Sequence, residues 1–570
     1  MTEKIVSPNV FINENDKSII TQGPVVVGAA IIGPTVHGQP LIPTTVTSYS
    51  QFASIYGESF VSGGYSYEYF TSLAAKEYFD NGGKTLLVTK IISGSANVNV
   101  YASSSIPAST GSIPAFSLEA LAWGDISNSS GSENSNGALA NGTQDNVRWE
   151  VIAKDPVEGT FDVVIRRGDD NTSDKNILET WSDLSLDPQL PNYISRVIGD
   201  QKPQFVIDAD GTGYIRNAGN YPINSRYVNV KSVGIIPNSI DNEGNFKPAN
   251  SGSLPLVASG SFGGGVPQTN LIPNFFEKSG VAGDGNIQGV NPADYVTALT
   301  LLTNKEEFRF NVLLVPGINL TSAGISNSLS VAQLRGDAIV IVDATNFGSS
   351  VGATVTAAAS QNSNYGAAYY PWTSIYASNL GKTVWVPPSV VMGGVYAFND
   401  SVAQPWNAPA GFTRGGIPSV VECERKLSQD DRDRLYKVGI NPLATFPGDG
   451  VVAWGQKTLQ KKPTSLDRVN VRRLLIKLKD FIGGEARKLI FEQNTTVTRN
   501  KFINKVNPYL ETVVSQNGLY AFKVTMDGTN NTSDVIDRNQ LVGTIQIQPT
   551  RTAEFIILDF TLTPTGATFQ

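Results

Sequence analysis

Two separate parts of the chain, residues 23–95 and 289–419, share one pattern of apolar and polar positions. Continuous apolar runs such as "PVVVGAAIIGP", "KTLLVTKII", "FNVLLVPG" and "AIVIVDA" predict buried strands. Between two of these runs, Phe70, Leu73 and Tyr78 recur at the spacing of one helix face. Strands that alternate with helices predict an α/β core whose sheet is covered on both faces.

The residues between these two parts, 96–288, have a different pattern. The stretches "VRWEVIA" and "TFDVVIRR" alternate apolar and polar positions with a period of two, which predicts paired strands. The low-complexity run from residue 96 to about 145, which contains "ISNSSGSENSNGALANGTQDN", is typical of a mobile surface loop. We therefore predict a β-rich insertion at the protein surface.

Residues 420–550 are helical first and β-rich later. Ser428 and Asp431 have the spacing of a capping box at a helix start. Apolar residues at helical spacing predict a second helix, which Gly483–Gly484 should end. This apolar face comprises Val471, Leu474, Leu475, Leu478 and Ile482. The stretches "LYAFKVTM" and "LVGTIQIQP" then predict two strands.

Both ends of the chain carry a strand pattern with little core of its own. The stretches are "NVFIN" near the start and "AEFIILDFTLTP" near the end, and the second is apolar on both strand faces. Their apolar residues are Val10, Phe11 and Ile12 in the first strand and Phe555, Ile556, Ile557 and Leu558 in the last. A strand that is apolar on both faces needs burial on both sides. Each end therefore needs a partner sheet, in this chain or in another molecule, and a hairpin with "LVGTIQIQP" is one possible pairing of the last strand.

The length of 570 residues is too great for a single core, so we predict a multidomain fold of the α/β plus β type. The predicted parts are an N-terminal arm (1–22), the first part of the core (23–95), the β-rich inserted surface domain or domains (96–288), the second part of the core (289–419), a C-terminal α+β domain (420–550) and a C-terminal arm (551–570).

Composition narrows the candidate chemistry. The single cysteine, Cys423, excludes an intrachain disulfide. The single histidine, His37, has no acidic residue or cysteine within ten positions, so we expect a solvent-exposed or packing role rather than a catalytic triad or a metal site. No apolar run reaches the about 20 residues of a membrane span, and "MTEKIVSPNV" lacks the apolar region of a signal peptide. We therefore expect synthesis in the cytoplasm.

Two short motifs suggest chemistry but have simpler interpretations. In "NGGKT" (81–85) the glycines follow a helix and precede a strand, the reverse of a phosphate-binding loop, and Tyr78 occupies the position of that loop's first glycine. We interpret this stretch as a helix end. The acidic run in "SQDDRDRLYK" (428–437) lies at a helix start, where carboxylates complement the helix dipole.

Charge is concentrated in one segment, residues 457–505. This segment holds thirteen Lys and Arg residues against four acidic ones, in a chain of net charge −7. Such an asymmetry indicates an anionic partner. Nucleic acid and a negatively charged protein surface are both candidates, and a merely solvated helix face is the third interpretation.

Seven stretches in the second half of the chain follow one another in a recognisable order. They are "YYPW" (369–372), "VPPS" (386–389), "GVYAFND" (394–400), "WNAPAG" (406–411), "DRDRLYKVGINPL" (431–443), "GDGVVAWGQKTL" (448–459) and "VNVRRLLIKLKDFI" (469–482). Together they closely resemble the contractile phage tail sheath family, which is related to the sheaths of R-type bacteriocins and type VI secretion systems. The early "SPNVFINE" looks like the N-terminal signature of this family. The resemblance covers residues 1–95 and 290–570.

The resemblance implies a structural protein without enzymatic activity or cofactor. It implies an α/β sheath core, a β-rich inserted domain and an α+β C-terminal domain with exchanged terminal strands. Family members form six-fold rings that stack into a helical sheath around an inner tube, and contraction drives the tube through the host envelope during genome delivery. The implied partners are further copies of the chain, the inner tail tube, the baseplate and the tail terminator, with no direct nucleic-acid contact and no integral membrane association. The implied location is the virion, assembled in the host cytoplasm.

Two site hypotheses follow from this resemblance. The terminal strands, Val10 to Ile12 and Phe555 to Leu558, are expected to complete the sheets of neighbouring subunits. A patch of four basic residues is expected to face the lumen and contact an acidic tube surface: Arg472, Arg473, Lys477 and Lys479. The alternative functions are a nucleic-acid-binding virion protein and, with less support, a nucleotide-dependent motor.

Overall fold

The computed structural model describes residues 28–62, 65–92, 101–121, 133–209, 211, 213–234, 243, 254–265, 288–290 and 292–555. Six of the predicted arm residues lie outside these ranges: Val10, Phe11, Ile12, Ile556, Ile557 and Leu558.

The strands of the described residues are, in chain order, β1 (Ala29–Gly33), β2 (Thr44–Val46), β3 (Ser59–Ser62), β4 (Tyr65–Glu68), β5 (Leu86–Lys90), β6 (Ser103–Pro107), β7 (Pro114–Ala120), β8 (Val147–Asp155), β9 (Thr160–Arg167), β10 (Ile177–Ser185), β11 (Lys202–Ile207), β12 (Gly213–Ala218), β13 (Val228–Val233), β14 (Ser259–Ser261), β15 (Val312–Asn319), β16 (Ile339–Asp343), β17 (Gly366–Tyr370), β18 (Thr373–Ala377), β19 (Lys382–Val386), β20 (Val420–Cys423), β21 (Ile440–Phe446), β22 (Gly450–Ala453), β23 (Leu519–Thr525) and β24 (Thr544–Pro549).

The α-helices of the described residues are α1 (Tyr49–Tyr56), α2 (Phe70–Asp80), α3 (Ile194–Val197), α4 (Pro292–Leu301), α5 (Ala323–Arg335), α6 (Val351–Ala359), α7 (Pro388–Val402), α8 (Gly411–Arg414), α9 (Gln429–Lys437), α10 (Val469–Arg487), α11 (Thr496–Ser515) and α12 (Ser533–Asp537). None of these helices combines the length and the apolar character that crossing a bilayer requires.

The core is built on an eight-stranded sheet in the order β2-β5-β1-β15-β16-β17-β21-β22. The six inner strands run parallel, and β2 and β22 pair antiparallel at the two edges. Neighbouring residues point to opposite faces, so that Leu314 packs with Phe70 and Val391, whereas Leu313 packs with the cluster of Tyr295 and Ile325. The prediction of a mixed α/β fold is thus confirmed, and the strands of both core parts join in one sheet.

The inserted region has its own core between two sheets. A three-stranded sheet, β13-β7-β6, and a four-stranded sheet, β10-β9-β8-β14, contribute buried side chains to one cluster, with Trp149 and Phe161 among them. The prediction of a loop from residue 96 to about 145 is wrong for residues 103–120, because β6 and β7 lie there and Phe116 and Leu118 are fully buried. The abundant Ser and Gly residues concealed an apolar face that recurs with the strand period of two.

The C-terminal unit consists of α10, α11 and the two-stranded sheet of β23 and β24, packed around Leu474, Leu478 and Phe502. The capping box of Ser428 at the start of α9 is confirmed. The prediction that Gly483–Gly484 ends the second helix is wrong, because α10 continues to Arg487. Each glycine inside a helix costs only about 1 kcal/mol, so the two together cost about 2 kcal/mol, which the apolar packing of α10 outweighs.

The core sheet also extends past the domain boundary predicted at residue 420. Strands β21 and β22, which span residues 440–453, are the last two strands of the eight-stranded sheet. We therefore propose that the division between the core and the C-terminal unit lies near residue 460, in the connection that leads into α10.

Candidate functional site

The candidate site is the region around α10, the helix that carries the centre of the basic segment. Its first residue is tied to the core, because the Val469 N–H donates to the Gln456 carbonyl over 2.8 Å. One side of the helix packs on α11 through Leu474 and Leu478. The helix is therefore a part of the C-terminal unit that contacts the core, and its basic residues must either pair inside this junction or face solvent.

Arg473 pairs inside the junction. Its Nη1 and Nη2 donate to the two carboxylate oxygens of Asp400 over 2.8 and 2.5 Å. Its guanidinium also lies 4.9 Å from the ring centre of Tyr396, whose hydroxyl is 3.0 Å from that of Tyr369. Burial opposes the charge on Arg473, but the Asp400 carboxylate holds the arginine pKa above its ordinary value. This fork-on-carboxylate pair links α10 to α7.

Arg472 is buried as well, with 3% of its surface exposed. Its guanidinium lies 4.2 Å from the ring centre of Tyr365, and burial lowers the arginine pKa from its ordinary value. The expectation that Arg472 and Arg473 face a partner is therefore corrected, because successive helix residues point in different directions and these two point into the protein. Lys477 and Lys479 are exposed, and their contact with a tube stays a prediction.

The two exposed lysines line a cleft of about 490 Å³ between α10, the end of α5 and the connection before β15. The cations that line this cleft and are at least partly exposed are Lys305, Arg309, Lys477, Lys479 and Arg487. Asp337 and Asp480 are the acidic residues along it. Sequence reasoning missed Lys305 and Arg309, because they lie far from the basic segment in the chain and only the fold brings them beside it. We call this feature the basic cleft.

The recognised stretches build further internal junctions. The Trp372 indole donates to the Thr345 carbonyl over 2.8 Å. Asp343, at the end of β16, accepts from the Ser389 N–H over 2.7 Å and from the Ser389 hydroxyl over 2.8 Å. Burial raises the pKa of Asp343 to about 7. A carboxyl group buried against the first turn of α7 positions that helix on the sheet.

The motifs with candidate chemistry occupy structural positions. Gly82 and Gly83 follow α2 and precede β5, as the helix-end interpretation predicts. His37 contacts Asp145, with Nε2 and Oδ1 3.1 Å apart, a pairing across the border with the insertion that sequence spacing could not reveal. The buried Cys423 thiol has a pKa raised to about 11 by burial. Within the described part of the chain, no three His, Cys, Asp or Glu side chains cluster as metal ligands.

Of the four apolar residues predicted for the C-terminal strand, only Phe555 lies in the described ranges, and 80% of its surface is exposed. It directly follows a residue that is held on the core, Glu554, whose carboxylate pairs with Arg468 over 2.6 Å. The first apolar residue of the predicted arm strand is therefore largely uncovered by the described part of the protein.

Comparison with known proteins matches the part of the chain that contains the seven recognised stretches. Residues 288–459 match the family model of the phage tail sheath protein central domain, and residues 461–563 match that of the phage tail sheath C-terminal domain. The tail sheath protein of Vibrio phage KVP40 is 30% identical over 347 residues, which are 53% of this chain and 52% of that protein. The tail sheath protein of Enterobacteria phage T4 is 42% identical over 186 residues, or 33% of this chain and 28% of that protein. The matches thus span about half, or less, of these relatives.

A solved structure shares the fold over most of the chain. The crystal structure of a sheath tail protein from Listeria innocua gives a TM-score of 0.51 and covers 92% of this chain and 96% of that one, at 10% identity. At this identity the likeness shows the fold alone. The two consecutive family matches carry the assignment: over residues 288–563 the chain carries the central and the C-terminal domain of the phage tail sheath family.

Proposed function

We propose that this protein is the structural subunit of a contractile tail sheath and that it acts without catalysing a reaction. In this proposal it polymerises as stacked, helically arranged six-fold rings around an inner tube. Contraction of the sheath drives the tube through the host cell envelope during genome delivery. Its partners are further copies of the chain, the tube protein, the baseplate and the tail terminator, in a virion assembled in the host cytoplasm.

One observation carries this proposal: two sheath-domain matches follow each other along residues 288–563. The buried pairing of Arg473 with Asp400 supports it, because it assigns two of the recognised stretches to the inside of the fold rather than to a catalytic pocket. Electron microscopy of the purified protein in negative stain tests the proposal. We expect striated tubes, and particles that never exceed single subunits or small rings over a range of salt and protein concentrations would overturn it.

The sheet of β23 and β24 is the proposed binding site for the exchanged arms. Within the described residues it has two strands, so each strand has one outer edge without a partner strand. A two-stranded sheet alone is marginally stable in water, and Phe522, Ile545 and Ile547 of this sheet are only half-buried. An added strand would pair the open backbone groups and cover these side chains. The proposed added strands are the arms of neighbouring copies, with Val10, Phe11, Ile12, Phe555, Ile556, Ile557 and Leu558.

Two C-terminal truncations test whether the apolar strand of the arm is required for assembly. A chain that lacks residues 553–570 should fold and remain unassembled, whereas a chain that lacks only 564–570 keeps the apolar strand and should form tubes. Tubes from the longer truncation would contradict arm exchange. Circular dichroism of both truncated proteins verifies that the fold is retained.

A hairpin within one chain is the alternative pairing of the last strand. Cysteines introduced by Gln546→Cys and Ile557→Cys distinguish the two arrangements, because oxidation of assembled protein links different chains only if the arm is exchanged. A ladder of covalent oligomers on a non-reducing gel is expected. A purely monomeric oxidised band supports the hairpin.

The basic cleft is the proposed contact for an acidic tube surface. Lys477 and Lys479 lie in it beside Lys305, Arg309 and Arg487, so cations from two distant parts of the chain line one cleft. Surface ion pairs are individually weak, which suits a surface that must release the tube on contraction. The same cations also fit the alternative function of nucleic-acid binding. A gel shift with double-stranded DNA that weakens steeply with salt would favour that alternative.

A further inference from the structure

The chain crosses from the C-terminal unit back to the core at the start of the predicted C-terminal arm, residues 551–570. The last backbone hydrogen bond found in the described residues joins the Thr550 N–H to the Gly518 carbonyl over 3.2 Å. Residues 551–555 that follow belong to neither a helix nor a strand. The position of this short connection therefore depends on its side chains.

Glu554 makes most of the side-chain contacts that fix this connection on the core. Its carboxylate accepts from the Arg468 guanidinium through Nε over 2.6 Å and through Nη2 over 2.9 Å. It also accepts from the Tyr436 hydroxyl over 2.9 Å and from the Gln456 amide over 3.2 Å. We call these four residues, Glu554, Arg468, Tyr436 and Gln456, the root clamp.

Neighbouring groups reinforce the root clamp. The Gln456 amide also donates to the Thr552 hydroxyl over 2.5 Å. The Lys457 ammonium lies 4.3 Å from the ring centre of Tyr436 and donates to its carbonyl over 2.8 Å. Although burial opposes ionisation, the Arg468 and Tyr436 donors hold the pKa of Glu554 below its ordinary value. The carboxylate is therefore charged at neutral pH.

The geometry of the pair makes it stronger than an ordinary surface ion pair. The side chains of Arg468 and Glu554 are 24% and 18% exposed, so both are largely withdrawn from water. Two parallel N–H to oxygen bonds fix the relative orientation as well as the distance of the two groups. One residue later the environment reverses, because Phe555 is mostly exposed.

We propose that Arg468 is a positioning residue for the C-terminal arm: by holding Glu554, it sets the place and direction in which residues 555–570 leave the core toward a neighbouring copy of this chain. Arg468 is also the residue directly before α10, the helix that lines the basic cleft. The root of the arm and this helix are thus tied at one residue, so a shift of α10 carries the arm root with it. The part that concerns a neighbouring copy rests on the proposed arm exchange.

The first test is made on the unassembled full-length chain. A nitroxide spin label is attached at Phe555→Cys, and its mobility is read from the line shape in continuous-wave electron paramagnetic resonance. We expect a restricted label with the native clamp. Arg468→Gln and Glu554→Gln each remove a charge-assisted bidentate pair, which should lower the ratio of restricted to mobile label by roughly ten- to a hundredfold.

Two controls make this measurement specific. Arg468→Lys keeps the charge but loses the fork geometry, so a label mobility between those of the native chain and Arg468→Gln is expected. Glu511→Gln removes an exposed carboxylate on α11 and should leave the line shape unchanged. A restricted label in both Arg468→Gln and Glu554→Gln would overturn the proposal. If Arg468→Gln fails to fold, Glu554→Gln alone decides, since it changes only the arm side of the pair.

Assembly provides the second readout and separates this proposal from arm exchange. Arg468→Gln should raise the protein concentration required for tube formation by about tenfold, while deletion of residues 553–570 abolishes tubes. Suppose that the deletion abolishes tubes but Arg468→Gln forms tubes at the same protein concentration as the native chain. That result would refute the positioning role of Arg468 and leave arm exchange intact. Tubes formed by the deleted chain refute arm exchange, whatever the spin label shows.

Discussion

The two sheets that flank α10 differ in how completely the protein covers them. The core sheet has eight strands, buried side chains on both faces and antiparallel strands at both edges. The sheet of β23 and β24 has two strands, open outer edges within the described residues and apolar side chains that are only half-buried. The first sheet is buried on both faces within the subunit, whereas the described residues leave the apolar side chains of the second only partly covered.

Because of this difference, we expect stability of the single subunit and assembly of the particle to depend on different regions. Substitutions in the core sheet should lower the free energy of unfolding of the single subunit. Substitutions in the small sheet and in the basic cleft should alter that free energy little and should act on the assembled particle. The expected effects on the subunit decrease along the following series.

The largest effect is expected for Leu314→Ala in the centre of the core sheet. Leu314 is fully buried beneath α7, where a Cβ at Gly393 would lie 2.8 Å from its side chain, so the packing is tight and cannot close over a cavity. We expect a loss of about 4 kcal/mol in the free energy of unfolding, measured by urea denaturation. Ile547→Ala in β24 is the matched control, with an expected loss of about 1 kcal/mol because its side chain is only half-buried. Equal losses at the two sites would contradict the comparison.

A slightly smaller effect is expected for Asp400→Asn at the junction of α7 and α10. The substitution leaves the buried Arg473 guanidinium without its counter-charge, at an expected cost of about 2–3 kcal/mol in the free energy of unfolding. Asp80→Asn breaks the exposed pair with Lys76 and should cost less than about 0.5 kcal/mol. If thermal or urea denaturation finds both changes equally mild, then the junction does not depend on this pair.

The sequence predicts the core far better than it predicts the junctions. Strands β1, β5, β15 and β16 begin within the apolar runs that predict them, and each is buried along its length, so local pattern and final burial agree. The strands β6 and β7 were missed because small residues hide their apolar face. Local pattern is informative wherever a segment's own residues decide its structure.

The direction of the basic side chains could not be predicted, because it depends on residues distant in the chain. Arg473 pairs with Asp400, and Arg472 lies on Tyr365, and neither partner is visible from the spacing within α10. A count of charges treats Arg472 and Lys477 alike, although burial separates their roles. The root clamp joins residues 86 and 118 positions apart and was equally invisible.

A pH-dependent effect of intermediate size is expected for Glu68 at the end of β4. Its carboxyl group is fully buried, receives a hydrogen bond from the Asn379 amide over 3.1 Å, and has a pKa raised to about 7 by burial. Because the folded state binds this proton more tightly than the unfolded state, the free energy of unfolding should fall as pH rises from about 4.5 to about 7.

Glu68→Gln removes this titration. The variant should be more stable than the native chain by about 1 kcal/mol at pH 8 and should match it or be slightly less stable at pH 5. The difference between the two denaturation curves, measured at each pH, isolates Glu68 from other groups such as Asp343 that titrate in the same range. A difference that does not change with pH would show that the Glu68 carboxyl does not titrate in this range.

The double charge reversal Lys477→Glu and Lys479→Glu should have the smallest effect in this series on the free energy of unfolding. Its main effect is expected on binding to the inner tube. Both side chains are exposed, so the free energy of unfolding should change by less than about 0.5 kcal/mol. Binding to acidic inner tubes, measured by co-sedimentation at low salt, should be lost, since two of the cations in the basic cleft become anions. Lys501→Glu with Lys505→Glu on α11 makes the same change of net charge outside the cleft and should leave tube binding unchanged. Equal loss of binding in both pairs would assign the attraction to the net charge of the subunit, and unchanged binding in the first pair would remove the basic cleft from the tube interface.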